Sequence, residues 1–222
     1  MIISIIVPAL NEEKNILQTL SSLQTFRKQG HEIILADGGS TDSTKSIAKP
    51  LCDIILSARK GRACQMHAGA TASHGDVLWF IHADTIAPQN ADLMIEKALA
   101  KKSWGRFDVT ISGKSWLFRI IAVMMNLRSR ITGICTGDQG IFVKKETYMR
   151  HGGYPDIPLM EDIAISKQLK KTELPACITI PMLTSGRRWD QKGVVKTMLL
   201  MWWLRFLYFI GVSPVKLSDI YK

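Results

Sequence analysis

Residues 2–23 read IISIIVPALNEEKNILQTLSSL: a short apolar run, a polar loop, then an amphipathic pattern. Ile2 to Val7 is stopped by Pro8, the profile of a central parallel strand. Asn11 is placed to cap a helix whose first turn carries Glu12 and Glu13, with Ile16, Leu17, Leu20 and Leu23 on one face. The unit is strand, loop, helix. It has no basic leader, so it reads as a first buried strand and not as a signal peptide.

That unit repeats in type. HEIILA (31–36) is a second strand, STDSTKSIAK (40–49) a short helix and CDIILS (52–57) a third strand. GRACQMHAGATAS (61–73) is a helix and DVLWFIH (76–82) a fourth strand. Such alternation predicts an α/β fold with a mostly parallel sheet flanked by helices on both faces. Pro88 suits the first turn of a helix running to about Lys101, with Leu93, Ala98 and Leu99 inward. Beyond residue 103 the pattern is mixed: WGRFDVTI (104–111) and QGIFVKK (139–145) read as strands, SWLFRIIAVMMNLRS (115–129) and MEDIAISKQLKK (160–171) as helices. The last long helix is roughly Gly193 to Ile210.

At 222 residues and 46% hydrophobic content the chain can bury one sizeable core, and no linker divides it. A net charge of +10 calls for an anionic partner: nucleotide phosphates, nucleic acid or an anionic membrane surface. Cys52, Cys64, Cys135 and Cys177 are scattered without a C-x-x-C pair, which points to reduced thiols in a cytosolic setting and away from zinc.

In open α/β sheets ligands bind outside the carboxyl ends of the strands, and the polar clusters fall there. After the first strand come Pro8, Ala9, Asn11 and Glu12, and after the second Asp37, Gly38, Gly39 and Ser40. The two glycines let backbone amides approach a ligand while Asp37 accepts from a base or ribose; a capped tight turn is the plainer reading. Neither a G-x-G-x-x-G fingerprint nor a G-x-x-x-x-G-K-[ST] phosphate loop occurs. Arg59, Lys60 and Arg62 crowd a helix start against the helix dipole, which a pyrophosphate would explain; a solvated basic loop is the plainer reading. His82 and Asp84, two apart on an extended segment, project to the same side, where the carboxylate can hold a divalent cation or merely cap. Glu161 and Asp162 open a helix, where they either serve as ordinary capping acids or one acts as general base. Arg187, Arg188 and Trp189 suit phosphate contact and stacking, and Asp138 and Gln139 are candidates for acceptor hydroxyls or turn formers.

In this order the segments resemble glycosyltransferase family 2, enzymes that use nucleotide sugars on a GT-A fold, over about residues 1 to 190. SIIVPALNEE is similar to that family's opening strand and loop, ADGGSTDST to its V-D-D-G-S-T-D segment and HAD to its metal-binding D-x-D. MEDIAIS resembles the E-D segment carrying its base, and GRRW an abbreviated Q-x-x-R-W. More narrowly, GRACQM, HAD, GDQG and SGRRW look like a subgroup of small bacterial members, sometimes linked to glucosylation of carotenoid-type lipids.

The resemblance implies a Rossmann-like nucleotide-binding half at 1–102, a mixed acceptor-side half at 103–190 and a C-terminal apolar helix within 191–222. It implies that Pro8, Ala9, Asn11, Glu12, Asp37 and Gly38 hold the nucleoside of a UDP- or GDP-sugar, and that Arg62, Arg188 and Trp189 meet the diphosphate. Asp84 would bind Mg²⁺ or Mn²⁺, Asp162 or Glu161 would deprotonate the acceptor, and the displacement would invert the sugar as it passes to an acceptor hydroxyl or carboxylate. Asp138 and Gln139 are carried as acceptor contacts. His82 stands where the family has its first Asp, and Ala36 and Gly38 flank a lone Asp37 where it often has paired acids, so weak metal affinity is expected.

Lys196 and Arg205 interrupt the apolar tail, which leaves no uncharged run of about 18 residues to span a bilayer. Trp202, Trp203 and Tyr208 suit either the membrane interface, with a lipid acceptor, or a dimer contact. The expected location is the cytoplasm, with or without peripheral attachment to the inner face of the cell membrane. Two other classes remain: a sugar nucleotidyltransferase, which would carry a Gly-rich loop where this chain has PALNEEKN, and a non-catalytic basic membrane-surface or nucleic-acid module. No nucleic-acid recognition motif is found, so nucleic acid is not an expected partner.

Overall fold

The computed structural model describes residues 1–221, apart from the side chains of Arg188, Gln191 and Lys192. Its centre is β1 (Ile3–Ala9), buried along its whole length. β1 pairs in parallel with β2 (Glu32–Asp37) on one side and β4 (Val77–Phe80) on the other, and β3 (Ile54–Ser57) extends the run beyond β2. With β5 (Thr85–Ile86), β6 (Trp104–Ser112), β7 (Phe142–Lys144) and β8 (Ala176–Ser185), the strands form one sheet ordered β3-β2-β1-β4-β7-β6-β8-β5. β7 and β5 are antiparallel to the rest.

Side chains of successive β1 residues go to opposite faces. Ile3, Ile5 and Val7 join Trp79 and the helices α1 (Ile16–Lys28) and α4 (Ala91–Leu99) on one face. Ile6 faces the other way, onto Met66 of α3 (Arg62–Ala72) and Ile165 of α7 (Glu161–Leu169). Strands covered on both faces have to be apolar throughout, which is why they read as continuous runs. The helices cover the sheet on both sides, as the alternation of elements predicts.

Several local expectations are corrected. Pro8 does not stop β1; its position pairs with Ala36, and β4 has already left β1 after Ile6, so the missing N–H faces no ladder. The first helix begins at Ile16, not after Asn11, and Leu17 is exposed. Asn11 instead turns the chain with φ 55°. Its amide donates to Ser40 Oγ at 2.9 Å and its Oδ1 accepts from Thr41 N at 2.9 Å. Glu12 N donates to Thr44 Oγ1 at 2.8 Å, so the loops after β1 and β2 are laced together just before α2 (Thr44–Ala48). α4 starts at Ala91 after a left-handed Asn90, not at Pro88, and Leu93 is exposed.

Beyond residue 103 the elements include α5 (Leu117–Thr132), α6 (Lys145–Arg150), α8 (Arg187–Lys192), α9 (Val194–Phe209) and α10 (Pro214–Tyr221). β8 was not expected. It pairs with β6 in parallel, and the register moves from Phe107–Ile178 to Asp108–Pro181, a bulge that puts Pro181 past the irregular step. Among the described residues no helix is long and apolar enough to cross a membrane.

At the end of the sheet away from the loops above, Glu32 accepts from Ser4 Oγ at 2.6 Å and from His74 N at 3.1 Å, and meets His74 Nδ1 at 2.7 Å. Burial opposes charge on Glu32, but these bonds prevail and hold its carboxyl below its usual 4.5. A depressed carboxyl contributes stability above its unfolded value and loses it as pH falls through the folded one. We expect Glu32→Gln to destabilise the protein at pH 7, with the gap to the native chain closing below about pH 4.5 in urea melts. A gap constant from pH 7 to 3 would show that Glu32 is not a fastening.

Candidate active site

The carboxyl ends of β1 and β4 open on a cavity of about 480 Å³, within the usual ~300–1,000 Å³ of ligand sites. Pro8 and Ala9 come from the end of β1 and Glu12 from the loop after it, and Lys60, Gly61, Arg62 and Gln65 from the start of α3. His82 and Asp84 follow β4, Asp138 comes from the 3-10 turn Gly137–Gln139, and Glu161 and Asp162 open α7. Arg187, Trp189, Met201, Arg205 and Tyr221 close the far side, so the wall takes residues from both sides of position 190.

β4 ends at Phe80, and His82 and Asp84 lie in a turn closed by Thr85 N donating to His82 O at 3.1 Å. The turn, rather than extended backbone, brings both to the cavity. Thr19 of α1 fixes it by donating to Ala83 O at 2.8 Å. His82 Nδ1 lies 3.2 Å from Asp138 Oδ1, while Nε2 is buried without a partner among the described residues. Burial works against charge on His82, but the bond to Asp138 prevails and lifts the imidazole above its ordinary value. Burial likewise opposes charge on Asp138, which His82 holds below the usual carboxylate range.

Asp84 has no hydrogen bond from its carboxylate to any described residue. Burial, followed by the nearby Asp138 and Glu12 acting against His82, raises its pKa. The described residues contain no cluster of three or more His, Cys, Asp or Glu side chains that would cage a metal by themselves. One unpaired carboxylate and one orphaned imidazole nitrogen nevertheless fit a divalent cation that draws its other ligands from phosphate and water.

Glu161 is buried, and its Oε1 sits 3.4 Å from Arg62 Nη1. Burial, then Asp162, pushes Glu161 above its usual range against the pull of Arg62. Asp162 Oδ2 accepts from Gly137 N at 2.8 Å, and its Oδ1 is buried with no partner among the described residues. Met160 precedes the pair with φ 69°, a strained conformation for a residue other than Gly, Asn or Asp.

Four expected site residues do not reach the wall. Asp37 is fully buried and accepts from Gly39 N at 3.0 Å and Ser40 N at 3.1 Å, so it organises its own turn. Gly38 and Asn11 belong to the same laced loops; a Cβ at Gly38 would sit 3.0 Å from Gln65, which leaves little room for more than glycine. Gln139 is buried and donates to Ser129 Oγ at 3.0 Å and Asn126 Oδ1 at 3.3 Å of α5, so only Asp138 of that pair faces the cavity. The side chain of Arg188 lies outside the described residues. Sequence reasoning missed Gln65, whose Nε2 donates to Ala9 O at 2.7 Å and Ala36 O at 2.9 Å, and it missed Gly137, Arg205 and Tyr221. The Gly in T-G-D-Q was the one available signal.

A Cβ on Gly137 would fall 2.2 Å from His82 Nε2 and 3.0 Å from Asp162 Oδ2. We therefore expect Gly137→Ala to cost about 1–3 kcal/mol in urea unfolding, the range of overpacked sites. An unchanged midpoint would mean that His82 swings away freely and that this wall is loose.

Comparison with known proteins bears on the family and the fold. The model of the family described as "Glycosyl transferase family 2" matches residues 4–138, more than half of the chain. The chain is similar to an undecaprenyl-phosphate 4-deoxy-4-formamido-L-arabinose transferase of Pseudomonas fluorescens, 30% identical over 64% of this chain and 46% of that one. It spans about half the length or less of the curated relatives it matches. Among solved structures it resembles S. aureus TarS 1-349 in complex with UDP-GlcNAc, with TM-score 0.68 and 16% identity over 83% of this chain and 58% of that one. It also resembles glucosyl-3-phosphoglycerate synthase from Mycobacterium tuberculosis in complex with Mn²⁺, UDP and phosphoglyceric acid, with TM-score 0.63 and 18% identity over 96% and 79%. At these identities the likeness is one of fold, the GT-A arrangement.

Proposed function

Since the chain belongs to glycosyl transferase family 2, we propose that the large cavity moves a sugar from a UDP- or GDP-sugar to an acceptor hydroxyl, with inversion. The observation that carries this reading is Asp162. One oxygen is fixed by the Gly137 amide, and the other is buried and unpartnered at the cavity. A carboxylate held this way is positioned to take a proton from an acceptor hydroxyl, whereas Glu161 is engaged with Arg62. Arg62 stays charged, partial burial being outweighed by Glu161, Asp162 and Asp138 around it. It stands at the N-terminus of α3, where a diphosphate finds both the guanidinium and free backbone amides. Pro8, Ala9, Glu12 and Gln65 form the nucleoside side, and Trp189 with Arg187 covers the leaving group.

Asp84 would hold Mg²⁺ or Mn²⁺, with His82 as its second protein contact. A divalent cation bound there would supply positive charge to the departing diphosphate. A lipid-linked acceptor suits the exposed apolar residues of α5 and α9, among them Val123, Leu127, Trp203 and Phe206. The P. fluorescens relative is likewise named for an undecaprenyl-phosphate acceptor. The same face supports peripheral contact with a membrane, and the four free cysteines are consistent with its cytoplasmic side. Pairing of two copies through this face is the other reading.

Thermal shift with UDP, GDP and their sugars, with and without Mn²⁺, tests this. Binding to the folded state raises the melting temperature. We expect one nucleoside diphosphate to do so with Mn²⁺ present, and Asp84→Asn to remove the Mn²⁺-dependent part. Asp162→Asn should leave nucleotide binding in place and lower transfer roughly 10²–10⁴-fold, the range of general-base contributions. If no nucleoside diphosphate binds, the reading fails.

A further inference from the structure

A second cavity of about 230 Å³ lies between α5 and α9, lined by Ile121, Met124, Met125, Met198 and Trp202. It is continuous with the large cavity, sharing Asp138, Trp189, Met201 and Arg205. Its floor is apolar, formed where Phe118 and Ile121 of α5 pack near Trp189 and Met198. One feature does not belong in such a place. Arg128 lines the groove, and its Nε and Nη2 are buried without a partner among the described residues. An uncompensated guanidinium in apolar surroundings is costly, and an anion is what repays it. A solvated surface would leave those nitrogens in water; a closed core would pair them.

Resting on the reading of the large cavity as a glycosyl-transfer site, we propose that this groove is the acceptor site. It holds the hydrocarbon chain of an anionic amphiphile, with the anionic group on Arg128 and Arg205 and the reacting hydroxyl directed past Asp138 toward Asp162. The groove leads from Asp138, which it shares with the large cavity, out to exposed Met124 and Trp202, and the apolar residues around them continue onto the outer faces of α5 and α9. A chain lying in it would reach from the sugar-transfer end to a bilayer surface without crossing water.

Dodecyl phosphate below its micelle concentration is the probe, titrated calorimetrically beside inorganic phosphate and an uncharged dodecyl glycoside. Dodecyl phosphate should bind at least tenfold more tightly than either. Arg128→Gln should remove its advantage over the glycoside, and Met124→Glu should weaken both amphiphiles at least fivefold. Trp202→Ala, also at a half-exposed position, serves should Met124→Glu fail to fold. Equal affinity for inorganic phosphate, or native affinity in the folded groove variants, overturns the proposal. A dimer that Met124→Glu dissociates and that excludes dodecyl phosphate overturns it in favour of a second copy. Nucleoside-diphosphate binding is measured on the same protein. Its absence removes the transfer reading and the acceptor role, while the amphiphile titrations still decide what the groove binds.

Discussion

The parallel pairing of Ile3–Ala9 with a strand on each side is the constraint from which the rest of the molecule follows. Parallel neighbours need crossovers, so each strand delivers its next loop to the same edge of the sheet. Glu12, Arg62 and His82 are distant in sequence and meet only because three strands end together. β4 leaves β1 two residues before Pro8, and that shortfall is what lets the His82–Asp84 turn fold into the space above β1. Gln65 bridges the carbonyls of Ala9 and Ala36, pinning the gap between β1 and β2 at that edge.

What gathers at the edge is a dense set of opposite charges. Glu12, Asp84, Asp138, Glu161 and Asp162 share one cavity with Lys60, Arg62, Arg187, Arg205 and His82. The structure distributes the available charge unevenly. Asp138 is matched by His82 and stays ionised, Glu161 leans on Arg62, and Asp84 is left with a raised pKa and no bond. The carboxylates therefore differ in what they touch: Asp138 holds an imidazole and Glu161 a guanidinium, while one oxygen of Asp162 is buried without a partner among the described residues. The strained Met160 fits that picture, since a left-handed turn at the start of α7 sets both acids on the cavity wall.

The sheet was legible because buried parallel strands must be apolar on both faces, so Ile33–Leu35 and Val77–Ile81 announce themselves. β8 was not legible: Thr179, Ile180 and Pro181 are exposed, and a bulge interrupts its pairing, so neither an apolar run nor clean alternation marks it. Asn11 misled because an Asn before two acids reads as a cap, while its real partners, Ser40 and Thr41, lie some 30 residues on. Asp37 and Gln139 carry the right chemistry for a site, yet their hydrogen bonds are spent on a turn and on α5. Residue type gives what a side chain is able to bind. Which bonds it has already made depends on contacts that only the fold supplies. Gly137 is the converse case, invisible as chemistry but required because His82 occupies the space a Cβ would take.

The two cavities divide the site by polarity, and the division follows from the chain's own layout. The polar end is built from strand-end loops, where backbone amides and charged side chains are free of the sheet. The apolar end is built from α5 and α9, helices that turn only part of their surface inward and leave Val123, Leu127, Leu199 and Phe206 outside. A helix apolar on more than one face needs a second apolar partner, and water is the least favourable one. Asp138 and Trp189 stand where the two environments join. A molecule that is polar at one end and apolar at the other satisfies both at once, and the buried nitrogens of Arg128 mark where between them its charge would lie.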